Sequence, residues 1–235
     1  MAALVGVPLA PTVAHILLRH LQLVLIWNAK INLTGPADLD ALIDRHLADS
    51  LCVLVACDLP SGGRVADVGS GAGFPGVPIA TLRPDLHVTL VEATRRKVAF
   101  LEYVRDELRL ENLRVVWGRA EHLARQPGFR ESFDVVVTRA VAPMAVAVAF
   151  CLPLCVVGGV AVFVKGPAVH TELAGMVERI ERWGGAVESS RTFVLPPGDR
   201  RTVVVVVRKQ TSQAAPGVLA DAVHRRPLPR RSDDI

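Results

Sequence analysis

The densest chemical signal in the chain is a glycine-rich run at residues 67–76, which reads DVGSGAGFPG. It follows an apolar, β-branched stretch and opens a helical pattern, so we expect a loop between a strand and a helix. Glycine has no Cβ atom, which lets the backbone turn tightly and approach a bound ligand closely. Gly71, Gly73 and Gly76 also satisfy the G-x-G-x-x-G pattern of dinucleotide-binding folds, which is weak evidence when it stands alone. The run predicts a ligand site at the carboxyl end of a strand.

The residues around these glycines favour a different cofactor. Asp67 lies two positions before Gly69, and glycines recur at every second position to give D-x-G-x-G-x-G. This pattern resembles the first motif of class I S-adenosylmethionine-dependent methyltransferases, where the loop wraps the amino-acid and ribose parts of the cofactor. The resemblance implies a cofactor-binding loop. Its candidate residues are Asp67, Gly69, Gly71, Gly73 and Phe74.

Two further segments are candidates for binding the rest of an adenosine. Glu92 ends the second predicted strand, 21 positions after Gly71, close to the spacing of about 20 for an acidic residue that binds ribose hydroxyls. A carboxylate accepts two hydrogen bonds from a diol, but NAD carries the same diol, so Glu92 alone does not separate the two cofactors. Ala120 and Glu121 follow the third predicted strand, where class I methyltransferases hold adenine. The alternative for Glu121 is an acidic residue that stabilises the first turn of a helix.

The segment after the fourth predicted strand bears on the reaction. It lacks both the Asn/Asp-Pro-Pro-aromatic motif of amino-group methyltransferases and the Pro-Cys nucleophile of cytosine-C5 enzymes. An enzyme that acts on guanine N7 needs neither, because N7 has a free in-plane lone pair. Arg139 lies at the strand end that faces the ligand crevice of a doubly wound sheet, which favours a functional role.

The order of the predicted elements indicates an α/β, doubly wound, Rossmann-like sheet, because strands and helices alternate. The strands are predicted at 64–68, 87–92, 113–117, 133–138 and 160–165, and the helices at 74–82, 95–110, 122–126, 143–155 and 172–183. Two last strands, 187–195 and 202–208, are separated by a turn signal and predict an antiparallel C-terminal hairpin at a sheet edge.

Two amphipathic helices are predicted ahead of the sheet, at residues 12–28 and 38–56, with Asp38 as the N-cap of the second. We therefore expect an N-terminal helical cap over residues 1–60. The S-adenosylmethionine-binding methyltransferase domain is expected over residues 61–210, and a flexible basic tail over residues 211–235.

Composition limits the class of protein. Hydrophobic residues make up 51% and charged residues 21%, which excludes disorder over most of the chain. Residues 140–164 form a run of 25 uncharged positions, longer than the roughly 20 of a membrane-spanning helix. Prolines and the Gly158-Gly159 pair divide this run into a helix, a turn and a strand. No membrane span and a cytoplasmic location are therefore expected.

The four cysteines lie in apolar runs, without a C-x-x-C pair or a histidine at ligand spacing, so no metal site and no disulfide framework is expected. The net charge of +4 is unevenly distributed. Residues 1–91 carry 5 basic and 7 acidic side chains, and residues 92–235 carry 22 basic and 16 acidic ones. The basic second part suits a polyanion such as nucleic acid; ordinary solubility is the alternative.

Five ordered motifs resemble one family, the 16S rRNA guanine-N7 methyltransferase G family, also called glucose-inhibited division protein B. They lie at residues 27–34, 45–50, 67–76, 118–121 and 138–140. The resemblance covers roughly residues 20–210. It implies S-adenosyl-L-methionine as the cofactor and 16S rRNA of the small ribosomal subunit as the partner. It also implies that Arg139 helps to position the cofactor or the substrate.

The reaction expected from this resemblance is a direct displacement in which guanine N7 attacks the methyl group. Asp49 is a candidate carboxylate near the base, where it would favour the positively charged product; a pair with Arg45 four positions earlier is the alternative. His46 is expected to anchor the helical cap. Lys165 is a candidate contact for a phosphate or a base, and a solvated lysine at a strand end is the alternative. Three other functions stay open: a methyltransferase acting on a small molecule or protein, an NAD-binding module, and a non-catalytic rRNA-binding assembly factor.

Overall fold

The fold is described from a computed structural model for residues 9–139, 142–195 and 200–212. Seven strands form one sheet: β1 (Arg64–Val68), β2 (His87–Glu92), β3 (Leu113–Trp117), β4 (Phe133–Arg139), β5 (Cys155–Lys165), β6 (Gly185–Leu195) and β7 (Arg200–Lys209). Their spatial order is β3-β2-β1-β4-β5-β7-β6. The first five strands pair in parallel, and β7 pairs antiparallel with both β5 and β6. The predicted α/β doubly wound sheet with a C-terminal hairpin is confirmed.

Helices cover both faces of this sheet. They are α1 (Pro11–Ile31), α2 (Leu39–Ala41), α3 (Ala48–Ala56), α4 (Gly76–Leu82), α5 (Arg95–Glu107), α6 (Ala120–Leu123), α7 (Met144–Cys151), α8 (Val169–Ala174) and α9 (Val177–Arg182). A π-helical segment, Leu42–Leu47, joins α2 to α3, so these three form one continuous helical stretch. The Asp38 side chain accepts a hydrogen bond from the Ala41 N–H, as expected of an N-cap.

The N-terminal helices share a hydrophobic core with the sheet. Leu21 of α1 and Leu51 of α3 belong to the same buried cluster as Val65 and Val137 of the sheet. Alternate residues of the same strands, such as Ala66 and Val136, face a second cluster with α7 and α9 on the other side. Because successive strand residues point to opposite faces, continuous apolar strands are what a sheet covered on both sides requires.

Three predictions about local structure are wrong. Gly158-Gly159 lies inside β5 instead of forming a turn, and the positive φ of 84° at Gly158 accompanies a shift in the β4–β5 register. A glycine pair in a strand can therefore mark a bulge as well as a turn. The helix predicted at 143–155 ends at Cys151 and is followed by a 3₁₀ turn. The helix predicted at 172–183 is two short helices, interrupted around Gly175.

The described part of the uncharged run folds into α7, the 3₁₀ turn Leu152–Leu154 and β5. Among the described residues, no helix has the length and apolar character needed to cross a membrane. The four cysteines are buried free thiols. The turn predicted between the last two strands and most of the predicted tail lie outside the described residues.

The packing of the glycine-rich loop gives a stability test at Gly76. A Cβ atom there would overlap Leu90 Cδ2 and lie 2.7 Å from Asp67 Oδ2. Since overpacking strains the neighbours, Gly76→Ala is expected to lower the free energy of unfolding by about 1–3 kcal/mol, measured by urea denaturation. Gly128→Ala is the control, because no atom lies within 4 Å of the added Cβ. Equal losses in the two variants would contradict this packing.

Candidate active site

One large cavity opens at the carboxyl ends of β1, β2, β3 and β4. The sheet order reverses here, because the chain goes from β1 outward to β3 and then returns to β4 on the other side of β1, which is where open α/β sheets bind ligands. The cavity volume is about 1460 Å³, above the 300–1,000 Å³ typical of one small ligand. The cavity therefore has room for a cofactor and part of a second molecule.

Most of the residues predicted from the sequence lie on the cavity wall. They are Gly69, Gly71, Phe74, Glu92, Ala120, Glu121 and Arg139. Asp67, Gly73 and Asp49 do not belong to the wall. Residues of the N-terminal segment line the cavity as well: Thr34, as expected of a residue at the pocket mouth, together with Leu33 and His46.

Asp67 supports the glycine-rich loop from behind. Its side chain is fully buried, and Oδ2 accepts a hydrogen bond from the Gly76 N–H at 2.9 Å. The Ser70 hydroxyl donates to the Asp67 carbonyl at 2.8 Å, which closes the turn. Burial raises the pKa of Asp67 to about 7. Asp67 therefore shapes the loop without reaching the cavity.

Glu92 connects three loops at the edge of the cavity. One carboxylate oxygen accepts from the Gly71 N–H at 3.0 Å, and the other accepts from the Thr94 N–H at 2.8 Å. Its backbone carbonyl accepts from the Gly118 N–H at 2.9 Å. Gly71 has a φ of +56°, a conformation that glycine adopts without the strain of a side chain. Each carboxylate oxygen keeps lone-pair capacity for a further hydrogen bond, as binding of a ribose diol requires.

Arg139, the last residue of β4, connects the sheet to the N-terminal helices. Its Nη1 donates to the Arg45 carbonyl at 3.2 Å and to Asp49 Oδ2 at 3.3 Å, and its Nη2 donates to His46 Nδ1. The guanidinium carbon lies 5.8 Å from the centre of the Phe74 ring. Burial lowers the pKa of Arg139, while the Asp49 charge opposes that shift. The side chain is held from several sides and still borders the cavity.

Asp49 lies behind Arg139 and not beside the cavity. Its Oδ1 accepts hydrogen bonds from Arg200 Nη1 at 2.9 Å and from Thr202 Oγ1 at 2.7 Å. The structure therefore shows contacts of Asp49 to β4 and β7 in place of the alternative pair with Arg45. The expected position beside a substrate base does not match this geometry, because the Asp49 side chain is enclosed by its partners.

His46 is a cavity residue whose protonation state follows from its neighbours. Burial and the Arg139 charge lower the pKa of His46 to about 3, so the ring is neutral near pH 7. An arginine only donates, so Nδ1 accepts from Arg139 and the single ring proton sits on Nε2. His46 joins the helical segment to the sheet, as expected of an anchor, and it adds a neutral hydrogen-bond donor to the cavity wall.

His20 of α1 was not identified from the sequence. Its ring is fully buried, lies 4.7 Å from the Phe74 ring, and has Nε2 2.9 Å from the Ala72 carbonyl oxygen. Burial lowers the pKa of His20 to about 4, so the neutral ring donates from Nε2 to that carbonyl. The sequence does contain a signal for a buried histidine, because His20 lies one helical turn from both Leu17 and Val24, within the apolar stripe of α1.

Lys165 has a less direct role than expected. Lys165 donates to the Ala142 carbonyl and does not belong to the cavity wall. Within the described ranges, no group of three or more His, Cys, Asp and Glu side chains is arranged to hold a metal ion.

The sheet order, the glycine-rich loop and the cavity together define a class I methyltransferase fold. The solved structure of fibrillarin from Aeropyrum pernix, in complex with natively bound S-adenosyl-L-methionine, matches with a TM-score of 0.53. The match covers 68% of this chain and 73% of fibrillarin at 19% identity. At this identity, the likeness supports the fold alone.

Sequence comparison identifies the family within that class. The model of the family rRNA small subunit methyltransferase G matches residues 14–201. The ribosomal RNA small subunit methyltransferase G of Symbiobacterium thermophilum is 39% identical over 213 residues, covering 88% of this chain and 87% of the relative. That of Roseiflexus castenholzii is 44% identical over 190 residues, covering 80% of each chain. The chain belongs to the rRNA small subunit methyltransferase G family, and the assignment made from its motifs is confirmed.

The enclosed Asp49 carboxylate predicts a large loss of stability when it is removed. Asp49→Ala leaves Arg139 and Arg200 without their carboxylate partner, and an unpaired charge in a partly buried place is costly. We expect the free energy of unfolding to fall by about 3 kcal/mol, measured by urea denaturation. Asp106→Ala removes a carboxylate that pairs with Arg105 and is 68% exposed, so its loss should be below about 1 kcal/mol. Similar losses would contradict the role assigned to Asp49.

The buried His20 ring predicts a pH dependence with a defined sign. The unfolded chain binds a proton at His20 near the ordinary pKa of 6.5, whereas the folded chain binds it only near a pKa of about 4. Acid therefore favours unfolding, and the stabilisation present above pH 6.5 is lost as the pH falls through this window.

We expect the stability difference between wild type and His20→Gln to shrink by about 1.4 kcal/mol per pH unit between roughly pH 6 and 4. Urea unfolding over this pH range measures it. Taking the difference between the two proteins cancels the opposite contribution of Asp67, whose pKa is raised. A constant difference would show that His20 does not remain neutral in the folded chain.

Proposed function

We propose that this chain transfers a methyl group from S-adenosyl-L-methionine to N7 of a guanine in 16S rRNA of the small ribosomal subunit, in the cytoplasm and without a metal ion. The observation that carries the proposal is one continuous cavity that joins Glu92, on the cofactor side, to Arg139 and His46. Membership of the rRNA small subunit methyltransferase G family supports the substrate class.

The residues of the cavity fit this cofactor. Glu92 has two oxygens with spare acceptor capacity for the two hydroxyls of a ribose. The Gly69–Gly71 backbone lines the wall beside it, and Ala120 and Glu121 lie at the end of β3, where an adenine edge would be read. When bound, S-adenosyl-L-methionine supplies a methyl group on a positively charged sulfur. The lone pair of an acceptor nitrogen can take this methyl group directly.

The proposed chemistry requires positioning more than proton transfer. Guanine N7 carries no proton, so no general base is needed, and this agrees with a neutral His46 and an Asp67 enclosed behind the loop. Holding two reactants at attack distance can lower a barrier by roughly 7–11 kcal/mol. The protein therefore has to hold the guanine plane in line with the methyl group.

His46 and Arg139 are the residues we assign to that positioning. On guanine, N7 and O6 are neighbouring acceptors on the same edge, so a donor that binds O6 leaves N7 free to react. The Nε2–H of His46 is a neutral donor of this kind. Asp49 offsets part of the charge of Arg139 beside a purine that becomes positively charged, although the same carboxylate also pairs with Arg200.

The function is tested by methyl transfer to 16S rRNA or small subunits from a strain that lacks this modification. We expect label from S-adenosyl-L-methionine to appear as N7-methylguanosine at one position, mapped by cleavage at the modified base. Arg139→Ala should lower kcat/KM by about 100-fold, because misplacement of the reactants costs this much.

Arg64→Ala is the matched control. Arg64 lies at the amino end of β1, which is the end opposite the cavity. Its Nε is 3.6 Å from Asp134 Oδ2. It should keep nearly all activity. Incorporation at another atom, or into a protein or small molecule instead of rRNA, would contradict the proposed function. Normal activity of Arg139→Ala would remove Arg139 from the site.

A further inference from the structure

The first turn of α5 carries three successive cations, Arg95, Arg96 and Lys97, which we call the cationic turn. The amino end of a helix has a partial positive charge, so cations there are unfavourable and acidic residues are preferred. This turn contains no acidic residue, and the N-cap Thr94 makes no side-chain capping bond. The sequence thus places charge where it destabilises the helix.

The three cations of the cationic turn lack a carboxylate partner in the described part of the chain. Among the described residues, no carboxylate forms an ion pair with Arg95, Arg96 or Lys97. Arg95 instead lies over the ring of Trp117, 4.1 Å from its centre. Trp117 is 54% exposed, and its indole N–H donates to the Ala93 carbonyl at 2.9 Å. This contact holds the guanidinium in place while leaving its charge uncompensated.

The position of the turn relates it to the active site. Lys97 lines the cavity beside Glu92, and Arg119, which has a long 3.7 Å contact with Glu121, lines it from the β3 side. The adenosine part of S-adenosylmethionine is uncharged and carries no phosphate, so cofactor binding does not account for so many cations here. A polyanion that approaches this rim of the cavity does account for these cations.

We propose that the cationic turn, with Trp117 and Arg119, binds the phosphate backbone of the RNA strand that flanks the target guanine. This inference rests on the proposed function and names the surface that the substrate uses. Arginines bind phosphate through several N–H donors at once, and an exposed tryptophan is a surface on which a nucleotide base stacks. The phosphates of the bound RNA then offset the unfavourable positive charge at the amino end of α5.

The test is a double variant, Arg95→Gln with Arg96→Gln, assayed for binding to unmethylated 16S rRNA over a series of KCl concentrations. Loss of two phosphate contacts should weaken binding roughly tenfold and reduce the slope of log affinity against log salt by about 1.5–2. Affinity for S-adenosylmethionine, measured by calorimetry, should not change. The melting temperature should change by less than about 2 °C, because removal of two cations from the positive end of the helix offsets loss of the Arg95–Trp117 contact.

The matched control is Arg105→Gln with Arg109→Gln, near the carboxyl end of α5. It removes the same number of charges at the other end of the helix: Arg105 lies in the last turn, where a cation is favourable, and Arg109 follows the helix. It should leave the salt slope unchanged and should not raise the melting temperature.

The outcomes separate this inference from the proposed function. An rRNA affinity and salt slope equal to those of the control variant would overturn the inference, even if methyl transfer is normal. Absence of rRNA binding by the wild-type chain would also overturn it. If the wild-type chain binds rRNA with a slope that the double variant reduces, but transfers no methyl group to guanine, the inference holds and the proposed function fails.

Discussion

The buried carboxylate of Asp49 joins three parts of the chain that lie far apart in sequence. It accepts from Arg139 at the end of β4 and from Arg200 and Thr202 at the start of β7. Because Arg139 also binds His46, the same cluster fixes both groups that we assign to the substrate base. The N-terminal helices therefore contribute to the wall of the cavity, and the position of a strand-end arginine depends on a carboxylate that never faces the cavity.

The opposite wall of the cavity depends in a similar way on hydrogen bonds to Glu92. Two backbone N–H groups and one backbone carbonyl bring the ends of β1, β2 and β3 together around this residue. These bonds orient the carboxylate before any ligand arrives, which reduces the entropy lost on binding. One acidic residue thus sets the shape of the proposed cofactor side of the cavity, and another sets that of the proposed substrate side.

The sequence was informative where local chemistry determines structure. The bounds predicted for β1, β2 and β3 match the observed ones, because runs of β-branched residues in a sheet covered on both faces end where glycine and polar residues begin. The glycine-rich loop could be located because few other sequences allow its backbone geometry. Local patterns do not show contacts between distant segments, such as His20 to Ala72 or Asp49 to Arg200. The sequence therefore does not predict the residues that hold the cavity wall from behind. The Gly158-Gly159 bulge was mistaken for a turn because glycine is compatible with both.

The π-helical segment Leu42–Leu47 lies where the N-terminal helices meet Arg139. The N–H of Ala48 bonds to the carbonyl of Ile43, five residues back, so this part of the helix contains one residue more than an α-helix of the same rise. The wide turn absorbs this extra residue locally, whereas an insertion into an ordinary α-helix would rotate everything beyond it by about 100°. α3 therefore keeps the orientation in which Asp49 meets Arg139. The same segment supplies the Arg45 carbonyl and the His46 ring that Arg139 binds, so the extra residue lies where the helices meet the strand-end arginine.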